Sequence, residues 1–274
     1  MVESNWTEPW LFAIYSLIKP VAGAFILVLM YLVLLIVQGG AQAANAQLRF
    51  DYIYIGNALF IFLGNVLWGT FRVVESDREW YETIRYIYIS PMSYYVYIVG
   101  RAAATVVVAG FAVATTLLFG VLFLNVTLAF SWLDIPVLIF GMVLGLLCVM
   151  AIGVCLAGLA LLMAHHSGIA AEGVSGVFYL FCGVIFPLSV LPIWAQNVGK
   201  SIPLTYWFDY IRRLVMPADH IAVVNTGLVG YSTTAIFLLL LVSTLLFFFL
   251  SVLIFRYSEY VAKRQGRIDL TTAY

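Results

Sequence analysis

Several short runs in this chain carry residue types that could do chemistry. Gly199-Lys200-Ser201 has the ending of a phosphate-cradling loop, in which backbone amides and a lysine hold the phosphates of a nucleotide. That loop also requires a glycine at position 194, which is Trp194, so the tripeptide is read as coincidence. His165-His166 offers imidazole ligands, but no His-Glu-x-x-His helix accompanies it, and the pair reads as part of a solvated loop. Gly173-Val174-Ser175-Gly176 begins like a nucleophile elbow, yet its closing glycine is replaced by Val177. Cys148, Cys155 and Cys182 all lie in apolar stretches; an odd number at that depth forms neither a disulfide framework nor a metal site, and they read as small core residues. Glu172 is an acid within an apolar run, a position that usually marks function, but it falls close enough to the run's end to reach water. The expectation is therefore no catalytic site, no metal site and no cofactor held by this chain.

The elements that must position these residues are membrane-embedded. Hydrophobic residues make up 64% of the 274 and charged residues 9%, with mean hydropathy +1.06. A soluble domain carries about 25% charged residues, so lipid must cover much of this surface. Basic and acidic residues balance at 13 each, and no basic run argues for nucleic acid. The N-terminus has no basic region leading into a short apolar core, so no signal peptide is expected. A crossing helix needs about 20 mostly apolar residues. Six stretches qualify, at 21–37, 52–71, 96–124, 136–163, 170–190 and 228–255. They must be helices, because backbone facing lipid has to satisfy its own hydrogen bonds. The predicted fold is an all-α membrane protein of one transmembrane domain, with both termini on the same side. With the termini inside, nine basic residues are cytoplasmic and four (Arg49, Lys200, Arg212, Arg213) are external, as the positive-inside rule demands.

Three further segments carry structure without spanning. Residues 6–20, with Trp6, Pro9 and Trp10, read as an interfacial helix on the inner leaflet. Residues 75–89 hold Glu75, Asp77, Arg78, Glu79, Trp80, Tyr81, Glu82, Ile84 and Arg85; the spacing Arg78–Glu82–Arg85 supports a short amphipathic helix, and Ser90-Pro91 is expected to open the next span. Residues 191–215 are punctuated by Pro192, Gly199 and Pro203 and predict two external half-helices, the second with Asp209 facing Arg212 and Arg213. Within the second span, Asn57, Gly64, Asn65 and Trp68 share one helical face, which should meet protein or a cavity rather than lipid. With Phe178, Tyr179 and Phe181 of the fifth span they are the candidates for lining a pathway. Gly141 and Gly145 suit close helix packing.

The charged run from Glu75 to Arg85 followed by Ser90-Pro91 and Gly100-Arg101 resembles the first cytoplasmic loop of the ABC type-2 permease family. Phe186-Pro187, then Pro192 and Trp194, Pro203, Tyr206 and Arg212 resemble that family's external signature between spans five and six. The family often has a Gly-Thr-Leu-Glu-like stretch where this chain has Trp80-Tyr81-Glu82-Thr83-Ile84. The resemblance implies two six-span permease subunits around a shared pathway in the plasma membrane. Beneath them would dock two copies of a separate ATPase subunit that binds ATP and Mg. Residues 75–89 would be the coupling helix. The sparse charge within the spans fits a hydrophobic or amphiphilic cargo such as a drug, a lipid or a lipid-linked glycan, moved outward by alternating access. An ion-coupled carrier would show repeated halves and ionisable groups at mid-membrane, and neither is seen; an accessory membrane protein is the other alternative.

Overall fold

The computed structural model describes residues 43–77, 84–129, 134–162, 167–217 and 226–266 except 229, together with residue 224 and scattered helical positions between 22 and 36. Eight helices run through these residues: α1 (Ala43–Glu75), α2 (Ile84–Ile89), α3 (Tyr94–Phe123), α4 (Ile135–Leu162), α5 (Ser167–Phe181), α6 (Ile193–Ser201), α7 (Pro203–Val215) and α8 (Thr233–Arg264). A 3₁₀ turn, Leu188–Val190, precedes α6, and no strand occurs among the described residues. Four of these helices, α1, α3, α4 and α8, are long and apolar enough to cross a membrane. Most of the expected first span and the interfacial helix at 6–20 lie outside the described residues.

The four long helices form an up-and-down bundle whose two ends can be told apart by contacts. At one end Tyr94 of α3 sits 6.0 Å from Phe255 of α8, ring to ring. At the other, Phe140 of α4 lies 5.7 Å from Phe237 of α8, and the Thr127 hydroxyl donates to Asp51 of α1 at 2.6 Å. The first end carries the loop between α1 and α3 and is called the loop end; the second is the far end. Asp51 is wholly buried and also accepts from Gln47, fastening α1 to the segment after α3.

Helix α4 is central because its small residues let neighbours approach. Thr70 of α1 lies against Gly153, Phe255 of α8 against Gly158, and Trp207 and Tyr210 of α7 against Gly145 and Gly141. Without side chains at these points, helix axes and large rings come into dispersion contact, the main attraction between helices in lipid. The Trp207 indole N–H also donates to the Gly141 carbonyl at 3.1 Å. The expected packing role of Gly141 and Gly145 is thus met by the rings of a half-helix.

Three expectations need correction. The stretch 170–190 is not one helix: α5 ends at Phe181, and Gly183 takes φ +73°, the left-handed region open to glycine. Fifteen residues rise about 22 Å at ~1.5 Å each, short of a ~30 Å hydrocarbon core. At the loop end Glu75 is the last residue of α1 rather than the start of a separate helix, and the described helix beyond it covers only Ile84–Ile89. Ser90 does not cap α3; its hydroxyl donates back to the Ile87 carbonyl at 2.7 Å, closing α2, and Ser93 stands at the N-terminal boundary of α3.

Candidate functional site

At the loop end, α1 continues beyond Glu75 as a wider π turn through Ser76 and Asp77. Asp77 is completely buried and pairs with Arg101 of α3. The Arg101 guanidinium also donates to the Tyr97 hydroxyl at 2.9 Å and the Ser76 hydroxyl at 3.3 Å, and the Tyr97 hydroxyl donates to Asp77 at 3.3 Å. Arg101 and Tyr97 are one turn apart, so one face of α3 supplies both donors. The result is a four-residue clamp between the root of the loop and the next span. Asp77, expected on the docking face, is instead held inside this clamp. Arg78, Glu79, Trp80, Tyr81 and Glu82 lie outside the described residues, and the side chains of Glu75, Ile84 and Arg85 are likewise not described.

The polar face of α1 is open. Asn57 and Trp68 are half-buried, Asn65 is exposed, and a Cβ added at Gly64 would meet nothing within 4 Å. Trp68 stands edge-on to Phe71 at 6.0 Å, with the Arg72 guanidinium 5.5 Å from its ring centre. The opposite face, with Ile55, Leu59, Leu63 and Val66, is buried in the bundle. Helix α5 borders the open face through Tyr179, whose ring is 4.6 Å from Phe60. Phe178 turns into the core, while Phe181 reaches Trp194 of α6 at 6.1 Å. Glu172, Gly173 and Gly176 are exposed on the outer side of α5. The pathway candidates thus divide into Asn57, Asn65, Trp68 and Tyr179 around one open surface, and Phe178 and Phe181 away from it.

The far end is organised by Arg212. Pro203 starts α7 at the position where a missing amide does least harm, and nearly every face of that helix is buried. Arg212 is fully buried; its two terminal nitrogens donate to the Gly183 and Val184 carbonyls, each at 2.8 Å. Its guanidinium lies 3.7 Å over the centre of the Tyr52 ring on α1, and the Tyr52 hydroxyl donates to the same Gly183 carbonyl at 3.0 Å. Burial pulls the guanidinium below its ordinary pKa, opposed by Tyr52 and Asp209. A Cβ at Gly56 would stand 1.8 Å from an Arg212 nitrogen, so only glycine at 56 leaves room for the group. Asp209 pairs with Arg213 at 2.9 Å, not with Arg212, and Arg213 also donates to the Tyr231 and Leu228 carbonyls. Of the other signature residues, Pro187 is half-buried, Pro192 precedes α6, Trp194 is exposed, and Tyr206 donates to the Lys200 carbonyl at 2.6 Å.

Gly199-Lys200-Ser201 closes α6 instead of opening a helix, with Gly199 lying against the Phe181 carbonyl. The histidines at 165 and 166 lie outside the described residues. The three cysteines are free thiols, Cys148 and Cys182 buried in the bundle and Cys155 partly so. Tyr52, Tyr97 and Ser76 had escaped the sequence reading. The one-turn spacing of Tyr97 and Arg101 was a visible signal; the Tyr52 contact, joining residues far apart in the chain, left none.

No curated protein matches the chain in sequence. The family model described as ABC-2 type transporter matches residues 2–216, from near the N-terminus to the residue after α7. A bundle of long apolar helices with short connections fits that match, and the chain belongs to the ABC-2 type transporter membrane family, the transmembrane permeases of ABC transporters.

Proposed function

We propose that this permease is the membrane subunit of an ATP-driven exporter that moves a hydrophobic or amphiphilic substrate outward. The carrying observation is the family match over residues 2–216, which takes in both the 75–89 loop and the external signature. In this reading the chain is one six-span domain. Residues 21–37 make the first crossing, and α5 with the irregular backbone to residue 190 makes the fifth. Non-helical backbone at that depth is tolerated when protein covers it, and the buried Gly183 and Val184, with their carbonyls held by Arg212, support that arrangement. Both termini face the cytoplasm.

Two copies would pair across the open face of α1, so that Asn57, Asn65 and Trp68 meet a shared pathway rather than lipid. ATP and Mg would be bound by two copies of a separate ATPase docked on residues 75–89. Closure of the motors would push this loop, and the Asp77–Arg101 clamp supports direct transfer of the push to α3. Drug, lipid and lipid-linked glycan are all compatible cargoes.

The test is co-purification. The chain should bring down an ATPase, and ATP hydrolysis should depend on that partner. Replacing Glu82 and Arg85 together by alanine should weaken ATPase docking while the permease itself stays folded. Complex assembly and transport unchanged in that double variant would contradict the coupling assignment.

A further inference from the structure

At the loop end, α3 and α8 touch through Tyr94, Tyr95 and Phe255 and then part, leaving a cavity of about 540 Å³ between them. One wall is apolar, formed by Val96 of α3 and Val252 of α8. The rim is polar and lies on the last turns of α8: Arg256, Glu259 and Lys263. The boundary between the two is sharp. The apolar run of α8 reaches Phe255, and Arg256 is the first charge after it. The cavity therefore straddles the level at which hydrocarbon gives way to headgroups.

Lys263 pairs with Glu259 at 2.7 Å. Arg256 is exposed and has no acidic partner among the described residues. Arg256 thus brings a positive charge to the mouth beside an apolar wall. Val96 is 56% exposed, so that wall opens sideways toward the bilayer as well as toward water. Tyr95 stands at the same level, the position where amphipathic rings accompany headgroups. A soluble anion would use the cations and leave the apolar wall bare. A neutral lipid would use the wall and leave the charge unanswered. A ligand with a phosphodiester head and an acyl chain uses both.

We propose that this cavity is a binding site for an anionic phospholipid, its phosphate against Arg256 and Lys263 and one acyl chain along Val96 and Val252. The lipid bridges the start of α3 and the end of α8 beside their aromatic contact. Each basic residue near a membrane surface strengthens attraction to anionic lipid by roughly fivefold, so two multiply to about twenty-five-fold, and Glu259 beside Lys263 lowers the expected preference to about tenfold.

The test uses the purified full-length chain in neutral detergent. Native mass spectrometry follows titration with phosphatidylglycerol or with phosphatidylcholine of the same acyl chains. Wild type should bind phosphatidylglycerol about tenfold more tightly, and the preference should disappear in R256Q/K263Q. R264Q removes a charge from the same helix outside the cavity and should keep the preference. V252W fills the apolar wall without altering charge and should weaken binding about tenfold. Equal affinity for the two lipids in wild type would overturn the proposal. So would an equal loss in R264Q, full binding by V252W, or displacement of the lipid by an equimolar amount of soluble glycerol phosphate.

Discussion

Arg212 is a fully buried charge, and its environment explains why it is arginine. A planar fork with two parallel donors matches two successive carbonyls, and its flat face can lie on the Tyr52 ring at the same time. Lysine offers neither property. Arg212→Lys and Arg212→Met should each destabilise the chain by about 2–4 kcal/mol, since either breaks the paired donation to Gly183 and Val184 and leaves Gly183 with the Tyr52 hydroxyl alone. Thermal unfolding in detergent measures this, and a melting temperature within error of wild type for Arg212→Lys would contradict it. Gly145 gives a steric counterpart: a Cβ there would come within 2.0 Å of the Trp207 indole nitrogen. Gly145→Val should therefore cost about 1–3 kcal/mol through overpacking, whereas Gly176→Val, where nothing lies within 4 Å, should be neutral by the same measurement. The sequence placed Arg212 opposite Asp209 because the two share a helix. In the fold the i,i+4 partner Arg213 takes that acid, and Arg212 reaches carbonyls 28 and 29 residues back in the chain. Local spacing could rank the two arginines no further, since long-range burial decides which of them needs acceptors.

Among the elements, the half-helices were the most legible. Pro192, Gly199 and Pro203 are local signals whose effect does not depend on tertiary context, and α6 and α7 begin and end beside them. The end of α5 was hidden for the opposite reason. Hydropathy stays high from 170 to 190, and a span count sees only that; Gly183 and Pro187 were the available evidence of a turn. The loop root was misjudged in a third way. Asp77 sits in a run of charges that reads as a solvated face, but its partner is on α3, 24 residues later. Asp77→Asn should release that root. Arg101 is 35% exposed, so the loss is smaller than for a fully buried pair, about 1–2 kcal/mol. The effects of Asp77→Ala and Arg101→Ala should fall short of additive when combined. Hydrogen exchange at residues 94–101 would rise in the single variants, and unchanged protection there would remove the clamp from consideration.

For the whole molecule, the described residues contain long apolar helices and short connections, with no segment of the size a nucleotide-binding fold requires. The permease class was legible in composition and in the order of its motifs, which the family match over residues 2–216 bears out. The path of a substrate was not, because the open face of α1 gains meaning only from what covers it. The expected outcome for the isolated chain in liposomes is no uphill accumulation of any solute under a proton or sodium gradient. Uptake under those conditions would place the energy source in this polypeptide and refute the exporter reading.

The buried guanidinium has a counterpart in a proline. In a continuing helix the Gly183 carbonyl would receive the amide of residue 187, and Pro187 has none to give. Arg212, together with the Tyr52 hydroxyl, thus supplies from other helices the donors that the chain's own next turn lacks. Pro187 and Arg212 form one device: the imino acid vacates an acceptor, and the arginine claims it, so that α7 is recruited to complete the end of α5.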